Sequence, residues 1–438
     1  SELQSRLHLV CRLLLEKMTP SGTSALSNVV MSASGDQPGY LVLNPLSFAR
    51  RVVVDLPDAS APPAIGGPVK TAQFDGRRHA ALVDVPGSGF AWFPTGSPAP
   101  ETATTDDTTS ETTPVAEENV IRNEFFEVHI NAETGGIQTI KEFGRKPNRL
   151  SQQLAYRFPR ERVIPPREEG QSEEKTYYSE MRCQSVEITC DGPAMGEIVT
   201  TGEIIDQKDD SRLAGFRQTV RLWRGRPVVE IDIELEPDKM PDGDPWSNYF
   251  GVRFAWNDST ATITRSVQQG AHSHRGERIE SPHYLEIAAE KERTTILTNG
   301  LPFHRKAGPR MLDTILISEG ETKRTFHLAV AVDVDYPMEA ALDFLTPAAV
   351  LPTETGPPRA GQTGWFFHLD ARNVQITRIT GLNGEAVEPA ETWEEHDHPQ
   401  LPDGDGYALR LLETEGRNRQ VKLRCFRTPT HARQRDFR

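Results

Sequence analysis

Val229, Ile231, Ile233 and Leu235 alternate with Glu230, Asp232 and Glu234, and Phe326, Leu328, Val330 and Val332 alternate with His327, Ala329 and Ala331. A period of two puts the first set on one face of a pleated strand and the second set on the other, so each segment must be a sheet strand with one face in a core. No helix holds such a pattern on one side. These are the strongest signals in a stretch from Val120 to about Phe344 that reads as one large β unit, with a short helical segment at Met338 to Phe344 that stops before Pro347.

Shorter strands flank it. Tyr40 to Leu43, Arg51 to Leu56, Ala81 to Val85 and Gly89 to Phe93 are β-rich runs separated by Pro and Gly, the spacing of a small sandwich. Further on, Trp365 to Leu369, Val374 to Ile379, Tyr407 to Leu412 and Val421 to Cys425 read as strands. From Gly96 to Glu118 the residues are mostly Thr, Asp, Glu, Ser, Ala and Pro, with Val115 the only branched aliphatic, a composition that cannot offset its ordering entropy and predicts a flexible linker or loop. Only Glu2 to Met18 has a sustained helical stripe, formed by Leu3, Leu7, Val10, Leu14 and Met18, and such a stripe must pack against something.

A length of 438 residues predicts more than one core. The formal charge of -14, with no basic block, argues against a nucleic-acid partner. No run approaches the roughly 20 apolar residues of a membrane helix. Cys11, Cys183, Cys190 and Cys425 are too few and scattered to staple the chain and form no C-x-x-C pair, which points to a reducing compartment. Ser1 leads into a polar helix rather than a secretory signal, so the expected location is cytoplasmic.

Chemistry is less legible. A glycosidase needs two carboxylates roughly 5 to 9.5 Å apart, which linear spacing cannot establish across strands. Glu277, Glu280 and Glu286 stand among His272, His274, Arg275, Arg278 and His283, the densest mixture of titratable groups, and fit either a sugar or acid/base loop or a solvated charged loop. His272 with His274, and His396 with His398, have the spacing of metal ligands on a strand, but surface histidine is the plainer reading. The run Gly300 to Lys306 places Phe303, His304 and Arg305 in a turn, where Arg305, and Arg310 beyond it, are candidates to donate forked hydrogen bonds to sugar hydroxyls or to a carboxylate of another domain. Trp92, Trp246, Trp256, Trp365 and Trp393 offer either core packing or sugar stacking. Nucleotide-binding and common hydrolase motifs are absent from the sequence.

Several segments share a pattern. Leu41-Val42-Leu43-Asn44-Pro45-Leu46-Ser47-Phe48, Asn123 to Val128 followed by Glu133-Thr134-Gly135-Gly136-Ile137, Gln153-Leu154-Ala155-Tyr156, and Gly406 to Glu413 with Gly416 and Arg417 together resemble, in order and spacing, the β half of glycoside hydrolase family 38 α-mannosidases. The resemblance implies a mainly β chain divided into the terminal helix of a bundle (1–19), a small β-sandwich (20–96), a flexible linker (97–119), a galactose-mutarotase-like supersandwich (120–345) and C-terminal sandwich strands (346–438). In that family an N-terminal α/β domain holds zinc and the nucleophilic Asp, so no catalytic residue or metal ligand is expected in this chain, which alone should be inert. Its expected partners are mannosides and its own catalytic domain, with no nucleic acid and no membrane, and an oligomer is left open. The β region would lend an aromatic and basic residues to the sugar pocket, with Tyr156, His283, His304, Arg305 and Arg310 as the candidates. Two rival readings stay open: a stand-alone carbohydrate-binding or scaffold module, and a mutarotase-like isomerase using His283 with Glu277 or Glu280.

Overall fold

A computed structural model describes residues 27, 30, 31, 35–426, 429 and 432, apart from 57, 77, 97–113, 144–147, 167–171, 291 and 383–405. The stripe at Glu2 to Met18, most of the expected linker, Trp393, and His396 with His398 lie outside the described residues.

The chain is mainly β, and two large antiparallel sheets face one another across its main core. One has nine described strands, in the order Glu180–Asp191, Met195–Asp206, Ser211–Trp223, Val228–Pro237, Thr325–Val332, Glu292–Leu297, Tyr284–Ala289, Thr262–Val267 and Gly270–His274. The other has ten, and from one edge it runs Arg278–Glu280, Phe303–Gly308, Met311–Ile317, Tyr249–Ala255 and Ser151–Ile164. The alternation read from sequence builds this interface: Val229, Ile231, Ile233 and Leu235 meet Phe250, Val252, Phe254 and Leu312 in one cluster of buried side chains. Each such side chain contributes roughly 1.5–3 kcal/mol on leaving water, so the core dictates which face of every strand turns outward.

The Gly135-Gly136 pair turns the hairpin between Phe126–Ile130 and Ile137–Glu142. Gly135 sits at φ +80°, where a side chain would be strained. Gly136 is needed for a different reason, since a Cβ there would lie 2.3 Å from the carbonyl oxygen of Gln152. The Asn44-Pro45-Leu46-Ser47 segment also has local work to do. The Asn44 carboxamide donates to the carbonyls of Phe48 and Pro86, both at 2.9 Å, and Ser47 Oγ donates to Gln375 Oε1 at 2.8 Å, tying the turn to the C-terminal hairpin Val374–Leu382 and Gly406–Glu413.

Two boundaries differ from the expected division. The small sandwich is not confined to 20–96: its four-stranded sheet, order Ala349–Thr353, Gly39–Asn44, Gly89–Pro94 and Thr363–Trp365, borrows both outer strands from the C-terminal region and packs on the three-stranded sheet Arg50–Leu56, His79–Val85 and Val69–Phe74. Backbone hydrogen bonds unsatisfied at both edges of the Gly39–Asn44 and Gly89–Pro94 pair are what recruit them. The linker also ends sooner than 119. Val115 and Ala116 are buried in the main core, and Ala116–Glu117 pairs with Val120–Arg122, because a single branched aliphatic at the end of a polar tract is enough to anchor it.

The helix Pro337–Leu345 lies against the outer side of the nine-stranded sheet, with Met338, Ala341 and Leu342 packed on Tyr284, Leu297, Ala329 and Ala331. From it, Asp343 accepts from Arg50 Nε of the small sandwich at 2.6 Å and from Arg226 at 2.9 Å, so one carboxylate joins the helix, the small sandwich and the large sheet. No helix among the described residues is long and apolar enough to cross a membrane.

Candidate functional site

The outward face of the ten-stranded sheet carries the richest chemistry. Leu154, Tyr156 and Phe158 of Ser151–Ile164 point into the core, which sends Ala155 and Arg157 to the opposite face. By the same parity Tyr249 and Arg253 oppose Phe250, Val252 and Phe254, and Asp313 opposes Leu312. Register then aligns Arg278, Arg305, Asp313, Arg253 and Gln153 in one row across five strands. Four residues further along, Tyr249, Arg157 and Tyr178 form a second row.

At the centre Asp313 is wholly buried. Its Oδ2 accepts from the phenols of Tyr178 and Tyr249, both at 2.7 Å, and its Oδ1 accepts from Arg253 Nε at 3.2 Å. The Arg253 guanidinium lies 3.6 Å from the centre of the Tyr178 ring. Burial and the adjacent Asp313 charge push the Tyr178 phenol up to about 12 and raise that of Tyr249 as well, so both remain proton donors at neutral pH.

A loop, Asp242 to Asn248, folds over one side of this face. Asn248 closes it by donating to the carbonyl and the side chain of Asp242 at 2.9 and 2.6 Å. Arg305 donates to the carbonyl of Trp246 at 2.6 Å, and Arg157 to the carbonyl of Ser247. The half-exposed Trp246 ring meets Phe303 edge-on at 5.7 Å, with the Arg278 guanidinium 5.3 Å from its centre. An apolar ring bordered by guanidinium forks and carboxylates is the combination that sugar recognition needs: a flat surface for C–H groups and directed partners for hydroxyls.

The candidates from sequence scatter across this geometry. Arg305 stands on the face itself. Arg310 is exposed at the turn beyond it and donates to the Asn257 carbonyl at 3.2 Å. Tyr156 is not on the surface: it is 1% exposed, in edge contact with Phe158 and Phe250 at 4.9 and 4.8 Å, so its ring is core packing. His283 and His304 are also interior, held in a serine-rich network between the sheets. His304 bridges Thr314 Oγ1 and the Ser281 carbonyl, both at 3.0 Å, while the His283 ring lies 3.4 Å from Ser266 Oγ. Burial pushes both imidazoles down to about 4, which keeps them neutral near pH 7. The hydrogen-bond partner of the His283 ring is a serine rather than Glu277 or Glu280, so nothing pairs it as an acid/base dyad with either carboxylate. Tyr178, Tyr249, Asp313, Arg253 and Arg157 were not foreseen. They are single residues spread over 157 positions of chain, and their only advance signal was parity, which sets Arg157 opposite the core residue Tyr156.

Among the described residues, no three His, Cys, Asp or Glu side chains gather to hold a metal ion, and His272 and His274 find no third donor. The zinc that the resemblance assigns to a separate N-terminal domain is not fitted by this set.

Compared with known proteins, no family model matches the chain, and no curated protein matches it. Among solved structures, an α-mannosidase from Enterococcus faecalis V583 superposes on 92% of this chain with TM-score 0.58 and 10% identity. A protein in the glycosyl hydrolase family 38 from Enterococcus faecalis superposes on 93%, with TM-score 0.57 and 10% identity. The fold is glycosyl hydrolase family 38-like. The chain spans 54% and 56% of the lengths of those two proteins, so the superposition covers about half of each. A putative aldose 1-epimerase from Escherichia coli K12 aligns with 49% of this chain and 98% of its own at TM-score 0.29 and 7% identity, too distant to carry an argument.

Proposed function

We propose that this chain forms the sugar-facing β wall of an α-mannosidase-like retaining glycosidase, with the hydrolytic carboxylates and zinc supplied by further polypeptide. The observation that carries the reading is the superposition of nearly the whole chain on about half of an α-mannosidase. The outward face of the ten-stranded sheet supports it, because Trp246, Arg278 and Arg305 present a ring and forked donors there. In this role the residues bind and orient: Trp246 covers a C–H face of the sugar, and Arg278 beside it directs its forked donors at the hydroxyls.

The test uses the chain itself. Incubated with an aryl α-mannoside and zinc, it should release no phenol, while methyl α-mannoside should perturb the Trp246 indole resonance weakly and not that of Trp256, which is buried. Zinc-dependent turnover would place the chemistry within this chain and overturn the division of labour. Immunodetection in the native source should show a polypeptide well above 48.8 kDa. A native product of that mass, with tight binding of mannosides, would instead favour a stand-alone carbohydrate-binding module.

A further inference from the structure

Three arginines lie below the surface among the described residues: Arg50, Arg149 and Arg157. A guanidinium in that position is costly unless an anion shares it. Arg50 has Asp343 at 2.6 Å, and Arg149 has Glu142 at 2.7 Å and Asp333 at 2.6 Å. Arg157, only 7% exposed, has no carboxylate within ion-pairing distance among the described residues. It donates to the neutral carbonyls of Phe158 and Ser247, its Nε has no hydrogen-bond partner, and the Tyr177 ring lies 5.0 Å from its guanidinium carbon. On the same face Arg305 repeats the pattern. Its Nε is buried without a partner, and its nearest carboxylate is Glu277 at 3.9 Å, a side chain 78% exposed to water.

The two arginines hold one loop. One donates to the carbonyl of Trp246 and the other to that of Ser247, adjacent residues of the loop Asp242 to Asn248, so both guanidinium groups grip the same turn of chain. The neighbouring Asp313 is already engaged by two phenols and Arg253. This face therefore holds more sheltered positive than negative charge, in a chain whose formal charge is -14.

We propose that Arg157 and Arg305 form an oxyanion subsite that receives a carboxylate or phosphoryl group carried by a sugar. The proposal rests on the reading of this face as a glycan surface. Admitting the anion requires the loop to release its carbonyls, exchanging neutral acceptors for a charged one, which guanidinium forks bind more strongly. The same chemistry would be offered by an Asp or Glu of adjoining polypeptide, and the choice of probes separates the two sources.

The whole chain is titrated by calorimetry at constant ionic strength with inorganic phosphate, mannose 6-phosphate and mannose. Mannose 6-phosphate is expected to bind more tightly than either of the others, and Arg157→Gln or Arg305→Gln to weaken it by roughly tenfold or more, the effect of losing a hydrogen bond to a charged group. Arg305 is the more exposed of the two, so Arg305→Gln decides the matter if Arg157→Gln does not fold. Absence of binding by both phosphate compounds, or affinity unchanged in Arg305→Gln, overturns the subsite. Mannose bound with phosphate ignored would leave the glycan surface standing and remove only the subsite. Phosphate bound as tightly as mannose 6-phosphate would show that the sugar adds nothing and would overturn a sugar-borne anion as the ligand.

Discussion

Replacing Asp313 with alanine removes the acceptor shared by Tyr178, Tyr249 and Arg253. The three donors do not suffer equally. Tyr249 is 1% exposed, so its phenol cannot be rehydrated, and leaving it unpaired costs about 1–3 kcal/mol. Tyr178 and Arg253 are only partly buried and can turn to water, losing about 1 kcal/mol each. The expected destabilisation is therefore about 3–5 kcal/mol, in the range seen when one partner of a buried charged pair is removed. Urea unfolding followed by tryptophan fluorescence and by far-ultraviolet circular dichroism measures it, provided the two transitions coincide, since a chain with several cores need not unfold in one step. Tyr249→Phe should cost about 1 kcal/mol, and Asp313→Ala in that background should cost about 1–2 kcal/mol less than in the wild type, because the worst orphaned donor is already gone. A loss below about 1 kcal/mol for Asp313→Ala, or simple additivity of the two changes, would show that the buried network is not what orders this face. The pH dependence has a definite sign. The folded phenols are raised above the unfolded value of about 10, so their contribution is complete below that pH and is lost as pH climbs through the folded value, about 12 for Tyr178.

Two further outcomes test the fold around the site. Gly136→Ala should destabilise by about 1–3 kcal/mol or more, read by thermal unfolding, because a Cβ there meets the Gln152 carbonyl oxygen at 2.3 Å and backbone cannot step aside cheaply; a neutral result would mean that the hairpin is loosely held. Burial, with Glu286 and Glu413 nearby, pushes the half-buried Glu415 carboxyl up to about 7, so its folded form holds a proton more firmly than its unfolded form and stability should fall between about pH 4.5 and 7. After discounting for its exposure the effect is about 1 kcal/mol, and Glu415→Gln should flatten that slope in a comparison of unfolding midpoints across the interval.

Much of the architecture was legible because β-strands advertise themselves locally. The alternation at Val229 to Leu235 and Phe326 to Val332 reports which side of each strand is apolar, and the hydrophobic effect acts on that pattern whatever the partner strand is. The turn chemistry of Gly135-Gly136 was similarly readable, since backbone conformation is a property of a few adjacent residues. The division into units was less so. That Ala349–Thr353 and Thr363–Trp365 complete a sheet begun at Gly39–Asn44 cannot be seen from composition, because any strand edge offers the same backbone donors and acceptors.

The candidate residues show the same limit. Tyr156, His283 and His304 carry functional-looking side chains, yet parity turned them into the interior, while Arg305 and Arg157 went to the outward face of the sheet. The sequence alone determined strand content, the apolar side of each strand and the acidic balance of the chain, all of which depend on neighbours within a few positions. Only the tertiary structure decided that Asp313 would meet Tyr178 and Tyr249, and that Arg157 would lie buried without a carboxylate among the described residues, because antiparallel register joins residues far apart in the chain and burial is what makes an unpaired charge costly.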